Sequence, residues 1–457
     1  MSTVRTRIAP SPTGLFHLGT ARAALFNYLY ARRNGGQFIL RIEDTDKERS
    51  KPEYEKDIVD GLHWLGISYD EGPIRQSERA ELYKKYIHQL LEEGKAGWCD
   101  VRDNPGEKGV PAAHWCENHG GFNAEGKGII RFKVPRNRSI AFSDIIRDDV
   151  RFDSNLLGDF SIAKDADTAL YNLAVVIDDE LMKISHVIRG EDHISNTPKQ
   201  MLLIEALGFS QPQYAHLPLI LGPDRSKLSK RHGAESLNEF REEGYLPEAM
   251  VNFMALLGWN PGDEREFFAL ADLEKEFALE RVQKGGAVFN REKLDSINAY
   301  YIRQKSPQEL AELSKPYAEK AGIDVSNKDL FMKAIVLEQP RLKKLSEIAE
   351  RVAFFFKVPQ YESALLAWKG QSPDETKRAL ESALRILDGR EDISKEHLEQ
   401  VFFAEAEGNF SSKGELLWPV RVALSGQKAS PGPFEIIEAL GIDESRNRIR
   451  QAIVILS

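Results

Sequence analysis

A chain of 457 residues, 42% of them hydrophobic, has the size of about two to four domains. Its formal net charge of −9 argues against a protein that is basic overall and leaves polyanion binding to a local basic face. Two cysteines, Cys99 and Cys116, argue against a disulfide-built secreted fold. Residues 1–7 lack the apolar stretch of a signal peptide, and no apolar run approaches the roughly 18 residues of a membrane span. A soluble, cytoplasmic protein without a membrane partner is expected.

In chain order, Val4–Ala9 reads as a short strand, followed by the Pro/Gly turn Ser11-Pro-Thr-Gly14. From His17 to about Arg33 apolar residues recur at helical spacing, and Gly35-Gly36 ends the helix. Phe38–Ile42 is a second strand and 52–66 a second helix. Strand–helix–strand–helix opens a parallel, doubly wound sheet. From about Trp98 to Ile162 short alternating runs such as Ile129–Val134, punctuated by Gly, Pro and Asn, suggest an inserted module richer in strand. The parallel pattern then resumes. Leu173–Ile177 and His186–Ile188 read as buried strands, Thr197-Pro198 as the cap and start of a helix reaching Gly208, and Leu217–Leu221 as another strand. Beyond about 235 helices follow one another, with capping boxes at Ser236/Glu239, Ser306/Glu309 and Ser372/Glu375. Strand signals nearly vanish after about 300.

Two segments carry the chemistry. His17 stands at the start of a helix, where free N–H groups and the helix dipole favour phosphate, and Gly19 leaves room against that helix for an adenine or ribose. Far along the chain, Lys227-Leu-Ser-Lys-Arg231 sets three fixed positive charges directly after a strand, where ligands of open α/β sheets bind. The plain alternatives are a strand–helix turn with a surface histidine and a solvated charge run. The two together suggest a nucleotide site.

The pair resembles the two signatures of class I aminoacyl-tRNA synthetases. His17-Leu-Gly-Thr20 stands for the first, with Thr20 where that signature ends in histidine, and Lys227–Arg231 for the second. Thr6–Gly14, Arg41-Ile-Glu-Asp-Thr-Asp46, Tyr171 with Asp178-Asp179, and Ile188-Arg-Gly-Glu-Asp192 are similar to the bacterial glutamyl-tRNA synthetase family, in family order. The resemblance implies a Rossmann-like doubly wound parallel sheet with an inserted α+β module and an all-α C-terminal half. Its parts would be a catalytic domain at 1–80 and 166–235, an acceptor-binding module at 81–165, a helical stem-contact region at 236–310 and a helical anticodon-binding region at 311–457. It implies joining of L-glutamate to tRNA(Glu) through a glutamyl-adenylate, with ATP and Mg2+. His17, Gly19, Thr20, Lys227, Ser229 and Lys230 would serve ATP. Arg7, Ser11, Glu43, Tyr171 and Arg189 would bind glutamate, the arginines matching its second carboxylate. Arg341 aligns with a family position that contacts the third anticodon base. A monomer is the family norm.

Some members of the family hold zinc in the inserted module. Here Cys99, His114, Cys116 and His119 could supply four ligands, but Cys99 stands where such members have two close cysteines, and His114-x-Cys-x-x-His119 departs from their spacing. On the sequence a metal-free loop is the favoured reading. The alternatives to a tRNA(Glu)-specific enzyme are a form that also charges tRNA(Gln) and an idle tRNA-binding homologue.

Overall fold

A computed structural model describes residues 3–100, 113–229, 236–390 and 392–456, without the side chain of His119. The described residues fall into two compact units, 1–242 with 247–294, and 243–246 with 295–457.

The first unit is built on parallel strands. β1 (Arg5–Ile8) pairs with β2 (Gln37–Ile42) in register Arg7 to Ile39, and β2 pairs with β3 (Glu71–Arg75). The crossovers are α1 (Leu18–Arg33) and α2 (Pro52–Trp64). α3 (Ala80–Glu92) leads to a three-stranded antiparallel sheet of β4 (Ala96–Cys99), β5 (Ile129–Phe132) and β8 (Phe160–Ala163). Between β5 and β8 lie β6 (Ser139–Asp144) and β7 (Asp148–Asp153). These two join a second sheet with β9 (His186–Gly190) and β10 (Gln213–Leu217), in the order β7-β6-β10-β9. The segment read as an insertion thus sends a hairpin into the sheet that also holds β9 and β10. β1 and β9 are held side by side: the Ser185 N–H donates to the Arg5 carbonyl at 3.0 Å, and the Arg5 N–H to Ser185 Oγ at 2.8 Å. The two sheets therefore meet at β1 and β9, and such a switch leaves a crevice at the carboxyl ends of the strands.

Two expected strands are corrected. Leu173–Ile177 lies inside helix α4 (Tyr171–Leu181), whose residues 173–179 are all buried. A short apolar run suits a helix buried on every side as well as a strand. It packs with α3, with α5 (Thr197–Leu207) and with the antiparallel sheet around Ile87, Ile130, Ile162, Leu173 and Leu203. Leu217–Leu221 is not one strand. β10 ends at Leu217, and Ile220–Leu221 forms β11, which pairs with β12 (Ala287–Val288). Pro218 between them has no N–H to offer a ladder. At α5 the N-cap is Asn196 rather than Thr197, whose hydroxyl is engaged elsewhere. Gly208 closes this helix as expected, at φ 72°.

The first unit also contains α6 (Leu237–Glu242), α7 (Pro247–Leu256) and α8 (Leu270–Glu276). α9 (Arg291–Gln304) leads into the second unit. That unit is helical throughout its described residues, from α10 (Pro307–Lys320) through α11 (Lys328–Glu338), α12 (Ile348–Phe356), α13 (Pro373–Leu387), α14 (Lys395–Asn409), α15 (Lys413–Ser425) and α16 (Pro433–Leu440) to α17 (Ile442–Ile455). All three expected capping boxes form, at Ser236/Glu239, Ser306/Glu309 and Ser372/Glu375. Among the described residues no helix is long and apolar enough to cross a membrane.

Candidate active site

A cleft of about 460 Å3 opens at the meeting of β1 and β9. Arg7 and Ser11 enter it from the end of β1, His17, Gly19 and Thr20 from the start of α1, and Glu43 from the end of β2. Tyr171, Arg189 and Lys227 complete the set of sequence-derived candidates that line it. Ser229 is described but does not line the cleft, and Lys230 lies outside the described residues.

The α1 end is suited to an anion. His17 takes the N-cap position with an extended backbone, φ −82° and ψ 153°, and there is no acidic residue in the first turn. The first N–H groups of a helix have no carbonyl partner within it. Among the described residues His17 Nδ1 is buried without a hydrogen-bond partner. A Cβ built on Gly19 meets nothing within 4 Å among the described residues. Across the cleft, Lys227 is exposed and its Nζ lies 3.7 Å from Asp192.

The opposite wall is a buried charge network. Arg41, wholly buried, donates to Asp179 at 2.7 Å and to Glu43 at 3.3 Å. Arg7 also reaches Asp179, at 3.1 and 3.4 Å. Asp178 receives Arg79 at 2.7 Å and the Gln76 amide and Tyr83 hydroxyl, each at 2.8 Å. Burial opposes ionisation of Asp179, but Arg7 and Arg41 outweigh it and hold its carboxyl below the ordinary value. Burial dominates at Glu43 and pushes its carboxyl up despite Arg41 and Arg7. Burial and then Glu43 raise Tyr171 to about 12, so it remains a phenol. Its hydroxyl meets His193 Nδ1 at 3.0 Å. Burial, then Arg189, lower His193 to about 4. The wall can therefore present guanidinium N–H groups, one carboxylate and neutral hydrogen-bonding groups to an amphoteric ligand.

Sequence reasoning left out Arg22, Asp192 and His193, which also line the cleft, and Arg41 and Asp179 as its supports. The Arg41–Glu43 spacing, i and i+2 on one strand face, was a usable signal. The approach of Asp179 to Arg7 and Arg41 was not, because it depends on a long-range helix placement.

Away from the cleft, Cys99 Sγ and Cys116 Sγ lie 3.4 and 3.6 Å from His114 Nε2. All three ligand atoms fall within 4.8 Å of one another. Asp159 braces the loop by accepting the Cys116 and Val134 N–H groups, each at 3.0 Å. Burial, and then Cys99, raise the Cys116 thiol above its ordinary value. Arg341, in the second unit, is paired with the buried Glu338 at 3.1 Å.

Residues 3–296 match the family of class I tRNA synthetases (E and Q), catalytic domain, and residues 309–453 match an anticodon binding domain. A glutamate--tRNA ligase 2 of Thermoanaerobacter pseudethanolicus is 44% identical over 99% of this chain and 98% of its own. A glutamate--tRNA ligase of Aquifex aeolicus is 43% identical over the whole of both chains. The crystal structure of a glutamate tRNA ligase from Elizabethkingia meningosepticum, in complex with its amino acid, superposes with a TM-score of 0.87 at 33% identity and covers all of both chains. The chain belongs to the class I tRNA synthetases, within them to the glutamate--tRNA ligase family.

Proposed function

We propose that this protein charges tRNA(Glu) with L-glutamate in the cytoplasm, as a monomer, in two steps. The glutamate α-carboxylate oxygen attacks the α-phosphorus of ATP. The bond from that phosphorus to the bridging oxygen breaks, and pyrophosphate leaves. A hydroxyl of the terminal ribose of tRNA then attacks the carbonyl carbon of glutamyl-adenylate, loses its proton, and AMP leaves. One observation carries this reading: the α1 N-terminus with His17, the Arg7–Glu43–Arg189 wall and Lys227 converge on one cleft.

Catalysis here is positioning and charge stabilisation, with no covalent enzyme intermediate. The N–H groups at Gly19 and Thr20, with His17, would hold ATP phosphates, and Lys227 and Lys230 would offset charge on the leaving pyrophosphate. Magnesium bound with ATP would share that charge. Glu43 would take the substrate ammonium, Arg7 and Arg189 its side-chain carboxylate, and Ser11 and Tyr171 neutral hydrogen bonds. Glutamine would set an amide against the guanidiniums, a polar mismatch that rejects strongly without editing. Residues 81–165 would grip the acceptor end and 236–310 the stem. The helices of 311–457, Arg341 among them, would read the anticodon, whose unstacked bases are open to hydrogen bonding and stacking.

Cys99, His114 and Cys116 would hold a zinc ion. Zinc–sulfur and zinc–nitrogen bonds of about 2.3 and 2.0 Å in a tetrahedron put sulfur and nitrogen roughly 3.5 Å apart, close to the spacing of these atoms. His119 is the sequence candidate for the fourth position. That spacing fits a bound zinc and fits thiol–imidazole hydrogen bonds equally.

The test is glutamylation of separate glutamate-tRNA and glutamine-tRNA transcripts with ATP and Mg2+. Charging of the first alone is the expected result. Charging of both would make the enzyme non-discriminating, and charging of neither would leave the idle homologue.

A further inference from the structure

Arg189 is held by a buried relay of side chains. Its Nε donates to His216 Nε2 at 3.2 Å and its Nη2 to Thr197 Oγ1 at 2.9 Å. Thr197 Oγ1 in turn lies 3.1 Å from the same His216 Nε2. On the far side, His216 Nδ1 meets Asp144 Oδ2 at 2.6 Å. Asp144 also takes the His216 N–H at 3.1 Å and, through Oδ1, the Ile146 and Arg147 N–H groups, each at 2.9 Å. Thr197 and His216 are fully buried, Asp144 and Arg189 nearly so.

The hydrogen count leaves one arrangement. An arginine cannot accept, so His216 Nε2 must be a lone pair. The ring proton then sits on Nδ1 and points at the Asp144 carboxylate. A neutral imidazole in this tautomer gives Arg189 an acceptor. The other tautomer, or an imidazolium, would aim an N–H at a cation. The edge of the guanidinium formed by Nε and Nη2 is thereby occupied, while Nη1 is buried and has no partner among the described residues. The residue itself lines the cleft.

We propose that His216, held in its Nδ1–H tautomer by Asp144, is a positioning residue that locks Arg189 with its Nη1 presented to the side-chain carboxylate of the amino acid substrate. This rests on the reading of Arg189 as a glutamate-binding residue. Asp144 comes from β6, inside the segment that reads as an insertion, so that segment also serves amino acid selection.

The relay makes a set of linked expectations for tRNA-dependent ATP–pyrophosphate exchange at varied glutamate. In D144N the carbonyl oxygen stays with the two backbone N–H groups, and the new amide N–H faces His216 Nδ1. That forces the wrong tautomer. D144N and H216L should each raise the KM for glutamate by about 10- to 100-fold, the worth of a hydrogen bond to a charged group. The KM for ATP should stay within about three-fold, because the lost interaction is with one substrate only. The double variant D144N/H216L should cost no more than H216L alone, since both act through one link. H216Q, whose amide oxygen can still accept from Arg189, should recover most of the loss.

A purely structural role predicts otherwise: additive losses, parallel rises in both KM values, and no rescue by H216Q. Any of these overturns the proposal, as does H216L with a wild-type KM for glutamate. A wild-type enzyme without glutamate-dependent exchange overturns the functional reading itself, and this inference with it.

Discussion

Arg41 Nη1 and Asp179 Oδ1 stand 2.7 Å apart, with the Arg41 side chain shut off from solvent. Asp179 carries a second guanidinium, that of Arg7, at 3.1 Å. One carboxylate on a buried helix is therefore shared by two arginines on adjacent strands, and Arg41 has Glu43 and Asp178 beside it as well. Replacing a buried pair by apolar residues can be neutral, but removing one partner strands the other. Asp179→Ala should therefore cost about 3–5 kcal/mol, read as a fall in the urea midpoint. A loss below about 1 kcal/mol, the worth of an exposed pair, would show that the network is not needed to compensate Arg41.

That pair also marks the limit of what the sequence discloses. The turn at 11–14 and the helix at His17 were legible because each is local: a breaker and a period. The residues Arg7, Glu43 and Arg189 were legible as site candidates through the family resemblance. Leu173–Ile177 misled because β-branched residues in a short run favour a strand, whereas this segment is enclosed by α3, α5 and the antiparallel sheet. Pro218 is a visible break in the sequence, and there β10 ends and β11 begins. The Asp144–His216–Arg189 relay joins residues from three strands, and no spacing rule spans such separations.

Gly19 offers a substitution that separates binding from folding. A Cβ there meets nothing within 4 Å among the described residues, and alanine is favoured over glycine in a helix by about 0.5–1 kcal/mol. Gly19→Ala should melt no lower than the parent. If ATP lies against α1, the added methyl should raise the KM for ATP by about ten-fold, as over-packing of a close contact does. An unchanged KM for ATP would move the nucleotide away from this helix face.

His193 should make the protein sensitive to mild acid. Burial lowers its pKa from 6.5 to about 4, with Arg189, Arg7 and His216 acting in the same direction and Asp192 against it. Between these values the unfolded chain holds the proton and the folded chain does not. Stability should therefore fall as pH drops from about 6.5 towards 4 and be unaffected by His193 above that range. His193→Asn, which keeps a polar group beside Tyr171, should narrow the difference in melting temperature between about pH 7 and pH 5. An identical difference in both proteins would remove His193 as a source.

The cysteine–histidine cluster yields to direct analysis. Purified protein, dialysed against buffer treated to remove trace metals, should keep about one equivalent of zinc. Cys116→Ser should lose it and should melt lower, since metal binding free energy is also folding free energy. Less than about a tenth of an equivalent in the parent would mean a metal-free loop, with the two thiols and the imidazole simply packed together.

Arg341 is the last test, and its partner sharpens it. Glu338 is buried and accepts from Arg341 at 3.1 Å, while Arg351 stands 3.7 Å away on its other side. Burial pushes the Glu338 carboxyl up and the two arginines oppose it. Arg341→Gln removes one of two compensating charges and leaves an amide donor, so the helical unit should lose only about 1 kcal/mol. If Arg341 reads an anticodon base, the preference for tRNA(Glu) over tRNA(Gln) should narrow by about ten-fold. Glu338→Gln would release Arg341 without removing it. It should weaken discrimination less than Arg341→Gln does, because the guanidinium remains to make the contact. Unchanged charging ratios in both variants would assign the pair to the stability of the unit and place anticodon reading elsewhere on its surface.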